Sequence, residues 1–255
     1  MTTDHSQKIV AQFTRWAAPF SALDIHAAAD GMRRTLAAAR LAPHMRVLDV
    51  ACGPGIVACA AAAQAGRVTG IDLTPAMIEQ AKARQQREGL TNIDWQVGDA
   101  TRLPFAEGSF DVALTRYSFH HLPRPIEALR EMQRVVAPGG RVVVIDATPT
   151  PRTQAAYDRM ETLRDPSHTS ALTREQLRAI GAEIGLIEDG IDSYDLEAHL
   201  DTLADAGDMA ALTDMFDADI RSGENRIGVN ARREADGIYF QFPITILAWR
   251  TRIGA

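Results

Sequence analysis

Cysteine is scarce in this chain. There are two in 255 residues, Cys52 and Cys59, on either side of a turn that leads into a helix. A disulfide between residues so placed is not expected, and two thiols cannot complete a tetrahedral zinc site by themselves. They read as small core thiols of a protein in a reducing compartment. Long apolar runs are missing too, and no stretch approaches the roughly 20 residues that a membrane span requires. The opening Met1-Thr2-Thr3-Asp4-His5-Ser6 lacks the basic and apolar regions of a signal peptide. A cytoplasmic protein with no membrane partner is expected. Positive charge is also in short supply: 27 Lys and Arg stand against 33 Asp and Glu, a net charge of -6. A nucleic-acid groove usually needs a basic face, which argues against that class of partner.

What remains is ordinary globular material. With 46% hydrophobic and 24% charged residues, the chain can bury a substantial core as one large domain or a domain with an insertion. Apolar periodicity predicts a helix over about 7–20 and another over about 22–40, ending before Pro43. Strands and helices then alternate. Strands are expected over 46–50, 67–72, 92–97, 110–115 and 141–146, with helices over 56–65, 75–88 and 125–136 between them. Pro138-Gly139-Gly140 stops the last of these helices. Such alternation means right-handed crossovers and a doubly wound, mostly parallel sheet. Beyond Pro149-Thr150-Pro151 the pattern predicts a helix over 154–163, a polar loop over 164–170 and a helix over 173–182. Thr173 and Gln176 form a capping box at the start of that last helix. A sixth strand is expected over 184–193, an acidic helical stretch over 195–222 and a final strand over 237–250. The acidic stretch carries Leu196, Leu200, Leu203, Leu212, Met215 and Phe216 as its apolar face. Pro243 marks a bulge or an edge in the final strand.

Three strand ends carry the chemistry. Val47-Leu48-Asp49-Val50-Ala51-Cys52-Gly53-Pro54-Gly55 ends in a glycine turn where the backbone can approach a ligand closely. Gly70-Ile71-Asp72 offers two acceptor oxygens to a ribose diol about twenty positions later. Gly98-Asp99-Ala100 places a third acidic turn where it can reach a base. Together they describe a sheet presenting a nucleoside-bearing ligand at its carboxyl edge.

These phrases, with Val-Thr-Gly-Ile-Asp-Leu-Thr-Pro-Ala-Met, Gly-Asp-Ala-Thr-Arg-Leu-Pro-Phe, Ser-Phe-Asp-Val-Ala, Phe-His-His-Leu and Arg-Val-Val-Ala-Pro-Gly-Gly-Arg, resemble the class I S-adenosylmethionine-dependent methyltransferases. The resemblance is to their small-molecule (type 11, ubiquinone-methyltransferase-like) branch. It covers residues 40–147 strongly and the flanks more loosely. It implies an α/β Rossmann-like fold: a doubly wound, seven-stranded, mostly parallel sheet whose last strand is antiparallel and lies between the fifth and sixth. Residues 1–41 would form an N-terminal helical cap, 42–194 and 233–255 the core, and 195–232 a helical lid inserted before the last strand. The implied cofactor is S-adenosylmethionine. Asp49 and the turn Ala51-Cys52-Gly53 would meet its methionine part, Asp72 the ribose, and Leu73 and Met77 the adenine faces. Asp99 and Ala100 would read the adenine amino edge, and the Arg116 backbone would hold the ammonium. One departure is Ala51 in place of the first glycine of the turn, a single added methyl.

The expected reaction moves a methyl group to O, N or C of a small metabolite. His120 is expected to face that acceptor as proton acceptor, with Tyr117 lining the same pocket. His121 is expected to turn the other way, packing or hydrogen-bonding under the sheet on the cofactor's side. Asp146 caps the turn after its strand or binds substrate, and His168 falls in a solvated loop. Phe13, Trp16 and Phe20 pack as an aromatic stripe or close over the cofactor. No histidine and carboxylate spacing stands out as a ligand set, so no metal is expected. The expected partners are a small-molecule methyl acceptor and at most a second copy of the chain, as a homodimer. Two other readings use the same strand ends: a nicotinamide-dependent oxidoreductase and a catalytically silent cofactor-binding module. Pro54 argues against the first, because it departs from the Gly-x-Gly-x-x-Gly spacing that opens onto a pyrophosphate.

Overall fold

A computed structural model describes residues 4–21, 29–203 and 208–253. The side chains of Trp16, Phe20 and Leu203, and the expected helix start at residue 22, lie outside that description. Two helices, α1 (Asp4–Ser21) and α2 (Ala29–Ala39), precede the alternating part. The alternating part begins with β1 (Arg46–Val50), α3 (Ile56–Ala62), β2 (Arg67–Asp72), α4 (Pro75–Glu88) and β3 (Ile93–Val97). It continues with β4 (Phe110–Arg116), a single 3-10 turn (Phe119–His121), α5 (Pro125–Val135) and β5 (Val136–Ala147). Then come α6 (Gln154–Arg164), α7 (Arg174–Glu183), β6 (Ile187–His199) and α8 (Leu200–Leu203). The chain ends with α9 (Met209–Ser222), β7 (Arg232–Glu234) and β8 (Gly237–Arg250).

The sheet runs β3-β2-β1-β4-β5-β8-β6, and the short β7 pairs with β8. β8 is antiparallel to both β5 and β6, while β1 to β5 pair in parallel. This is the doubly wound, mostly parallel α/β architecture expected, with one strand more. The central strands are covered on both faces, and side-chain alternation explains their continuous apolar runs. Val47, Val143 and Ile145 enter one core, together with Val57, Ala58 and Val68. Their neighbours Leu48, Val142 and Val144 enter the other, with Leu129, Met132 and Trp249.

The structure corrects the sequence reading in three places. β6 continues through His199, so the first residues of the expected acidic helix are strand; Leu196 and Ala198 are buried there. α9 sends Leu212 and Phe216 into the core with Tyr157, Met160 and Phe240, and so acts as a layer of the domain. β5 starts at Val136, and Pro138-Gly139-Gly140 lies at a register shift against β4 instead of outside the sheet. Pro243 fits inside β8 because its carbonyl faces Thr148, just past the end of β5, on the side where its missing N–H would also point.

Candidate active site

The β1 and β4 strands are neighbours, although the chain visits β2 and β3 between them. At such a switch point the following connections part in opposite directions and leave a crevice at the carboxyl ends of the strands. Here it is a cleft of roughly 930 Å3 of empty space, counting the solvent at its open mouth. The turn after β1 supplies Ala51, Cys52 and Gly53; the end of β2 supplies Asp72 and Leu73, and α4 adds Met77. Asp99 and Ala100 come from the loop after β3, and Arg116, Tyr117 and His121 from the end of β4. Ile9 and Phe13 of α1 close it from above.

The glycine turn works differently at its two glycines. Gly53 has φ +52 and no atom within 4 Å of where a Cβ would stand, so its open side is available to a ligand. At Gly55 the same Cβ would strike Trp95 and Ala81, so that glycine serves packing beneath the turn. Ala51 also adopts a left-handed conformation, φ +54, which strains a residue bearing a Cβ. Across the crevice Tyr117 has φ +58, and such strain recurs where a site over-determines its backbone.

Asp72 is fixed by two backbone amides. Its Oδ2 accepts from Gly53 N–H and its Oδ1 from Thr74 N–H, both at 2.8 Å. Burial pushes its carboxyl upward, and those two amides oppose the shift. Asp99 is exposed at the rim; its Oδ1 accepts from the amide and hydroxyl of Thr101 at 2.8 Å. Asp49 is outside the cavity lining. It is fully buried beneath the turn, with Oδ2 unpartnered, and burial pushes its carboxyl up to about 8. The amide of Ala58 and the charge of Arg116 oppose that shift, while Asp72 adds to it.

The two histidines of the turn face different ways, and it is His120 that departs from the expected orientation. His121 lines the cavity, edge-on to Phe13 at 5.0 Å between ring centres, and His120 does not line it. The cause is Asp146 at the end of β5. Its Oδ2 accepts from the Phe119 amide at 2.7 Å, and its Oδ1 bonds His120 Nδ1 at 2.6 Å, turning that ring inward. Asp146 therefore caps the 119–121 turn. Burial disfavours a charged His120, but Asp146 outweighs it by charge and hydrogen bond, so the net shift is upward. Burial and the neighbouring His120 charge hold His121 down at about 3. The Tyr117 hydroxyl bonds Tyr194 at 2.7 Å and receives Arg116 at 3.0 Å. Burial raises its phenol, which can donate a hydrogen bond but not take up a proton near neutrality.

His168 is not in a solvated loop. It is buried, with Nε2 bonded to Asp158 Oδ1 at 2.8 Å, and it stacks on His120 at 5.6 Å between ring centres. With Glu161 of α6, these rings bring three possible ligand atoms within 4.8 Å of one another. Nothing in their spacing along the chain announces the cluster, because α6 and the loop after it must fold back on the β4 turn to make it.

The sheet order, the crevice at its switch point and the acid held beside an open glycine turn define a Rossmann-like methyltransferase domain. A family profile described as a methyltransferase domain matches residues 48–144. The uncharacterized methyltransferase YcgJ of Bacillus subtilis is 32% identical over 159 residues, 62% of this chain and 63% of that protein. The ubiquinone/menaquinone biosynthesis C-methyltransferase UbiE of Roseobacter denitrificans is 38% identical over 125 residues, 46% of this chain and 50% of its own length. The matched segment thus spans about half to three-fifths of these relatives. In three dimensions the crystal structure of YcgJ aligns with a TM-score of 0.81 at 25% identity, covering 88% of this chain and 99% of that one. Residues 48–144 thus match a methyltransferase domain, and the fold as a whole is the one these methyltransferases share.

Proposed function

We propose that this protein transfers the methyl group of S-adenosylmethionine to O, N or C of a small-molecule acceptor. The observation that carries the reading is the Asp72 carboxylate, set by two amides at the cavity wall beside the open Gly53. That pairing suits a ribose diol next to a chain that must approach the backbone closely. Leu73 and Met77 would flank the adenine, Asp99 with Ala100 its amino edge, and the turn 51–53 with the Arg116 backbone the methionine end. Asp49 would act from beneath, holding the turn instead of touching the ligand. When bound, the cofactor supplies a sulfonium methyl for in-line displacement.

The protein's own share is positioning and exclusion of water. Aligning two reactants can supply roughly 7–11 kcal/mol in favourable cases. The roof formed by Ile9 and Phe13 keeps the chamber small and mostly apolar, which favours a metabolite over a macromolecule. Tyr117, held protonated, would orient the acceptor by donating a hydrogen bond. His120 faces away from this wall, so its expected service as proton acceptor is not part of the proposal.

Calorimetric titration with S-adenosylmethionine, S-adenosylhomocysteine and NAD in parallel tests the cofactor. Micromolar binding of both adenosyl sulfur compounds and none of NAD is expected. Methyl consumption over a panel of phenols, amines and activated ring carbons then tests the transfer. Cofactor binding without turnover on any acceptor would favour a silent binding module.

A further inference from the structure

We propose that His120, Glu161 and His168 form a binding site for one divalent transition-metal ion, of the zinc or iron(II) type. The two rings and the carboxylate come from three separate elements: the turn after β4, the body of α6 and the loop that follows α6. All three side chains are buried, and their ligand atoms lie within 4.8 Å of one another. An ion drawing those atoms to the usual distance of about 2.0–2.2 Å requires only a modest contraction.

The hydrogen bonds leave one nitrogen of each histidine for coordination, while both Glu161 oxygens accept from Arg164, at 3.0 and 2.7 Å, and offer an ion only their second lone pairs. His120 uses Nδ1 toward Asp146 and His168 uses Nε2 toward Asp158. The nitrogens left for an ion are therefore His120 Nε2 and His168 Nδ1. The latter is fully buried and has no hydrogen-bond partner. An orphaned buried nitrogen is costly unless something accepts its lone pair, and a metal ion would do so. A carboxylate behind each ligating imidazole is the arrangement that orients histidines toward metals. Asp158 is itself fixed, accepting from the Ala171 amide and the Ser170 hydroxyl at 2.8 Å each.

Charge points the same way. Asp146, Asp158 and Glu161 bring three negative charges into this buried region, and Arg164 on Glu161 returns one. With neutral imidazoles the region keeps a net negative charge, to which buried Asp165 beside Arg164 adds, and a divalent ion would offset it. Two nitrogens and one carboxylate suit a borderline cation better than magnesium or calcium, which prefer oxygen alone. Three protein ligands leave at least one position for water or for an oxygen of a bound molecule. His121, the next residue in the chain, lines the cofactor cavity, so the ion would lie close behind that wall. The alternative source of charge is a proton on His120, which would repel a cation.

The site does not depend on the methyl-transfer reading, and its test is separate from it. The full-length protein is stripped with a chelator, dialysed and titrated with cobalt(II), followed by visible ligand-field absorption. One equivalent is expected, displaced by zinc. His168→Ala and Glu161→Gln are each expected to weaken cobalt binding at least about tenfold, and Asp158→Asn about 10–100-fold through loss of orientation. An unchanged circular dichroism spectrum and a cooperative urea transition identify the variants that are folded, and Glu161→Gln alone decides if His168→Ala is not. No cobalt uptake by the unaltered protein, or uptake unchanged in the folded variants, would overturn the assignment.

Discussion

Two aspartates on neighbouring strands, Asp72 lying two residues beyond the strand partner of Asp49, do different work because their surroundings differ. Asp72 looks into the cavity and keeps two amide donors, so removing it removes both a ligand contact and the partner of Gly53 and Thr74. Asp72→Ala is expected to weaken S-adenosylmethionine at least tenfold, about 1.4 kcal/mol, measured by calorimetry on protein that retains its circular dichroism spectrum. Asp49 has no such outlet. It is 1% exposed and its carboxyl is raised to about 8, against 3.8 for the ordinary group. The folded state therefore holds a proton that the unfolded chain has released. Stability from this group is present below pH 3.8 and is lost as pH rises toward 8. Asp49→Asn keeps the shape without the charge. Relative to the unaltered protein it is expected to gain stability between pH 5 and pH 8, on the order of a few kcal/mol, read from urea midpoints. An unchanged difference between the two proteins across that range would mean that Asp49 stays ionised.

At the scale of elements, legibility followed locality. The strands β1, β2 and β4, the capping box at Thr173 and the order of the acidic turns could be read because each rests on neighbours in sequence. Thr173 accepts from the Gln176 amide at 3.2 Å and Gln176 reaches back to the Thr173 amide at 2.8 Å. The histidine orientations could not be read, because Asp146 on another strand decides them. β6 was misjudged for a similar reason: its acidic residues suit a solvated helix face, yet twelve of its residues find partners on β8. Helix α7 shows tertiary packing overriding propensity in the opposite sense. Gly181 lies in its interior, where alanine would ordinarily help by up to about 1 kcal/mol. A Cβ there, however, would stand 2.7 Å from the indole of Trp249, which is wholly buried and unable to retreat. Overpacking of this kind typically costs about 1–3 kcal/mol and outweighs the propensity gain. Gly181→Ala is therefore expected to lower stability by about 1 kcal/mol or more in denaturant unfolding. A stabilised variant would show that α7 can shift on β8.

Across the whole molecule, rigidity is unevenly distributed, and the cavity lies at the boundary. Below it are strands buried on both faces, with Val47, Leu48 and Val143 fully excluded from solvent. Above it is α1, in which none of the described side chains is buried. Its connections downward include a bond from the His5 ring to the His121 carbonyl at 2.7 Å and the contact of Phe13 with the His121 ring. Most helical stability in proteins comes from packing of one face and not from propensity, so the order of α1 depends on what lies beneath it. A ligand filling the cavity would give Ile9 and Phe13 an apolar surface to cover and would raise the free energy needed to lift the helix. Limited proteolysis should detect this. S-adenosylhomocysteine is expected to slow cleavage within residues 4–21 several-fold, with a smaller effect on sites in α9, which packs away from the cavity. Phe13→Ala should reduce that protection while leaving the sheet's unfolding midpoint nearly unchanged, since the side chain belongs to the roof and not to either core. Equal cleavage rates with and without ligand would mean that α1 is not part of the bound state, and that substrate exclusion must come from elsewhere in the chain.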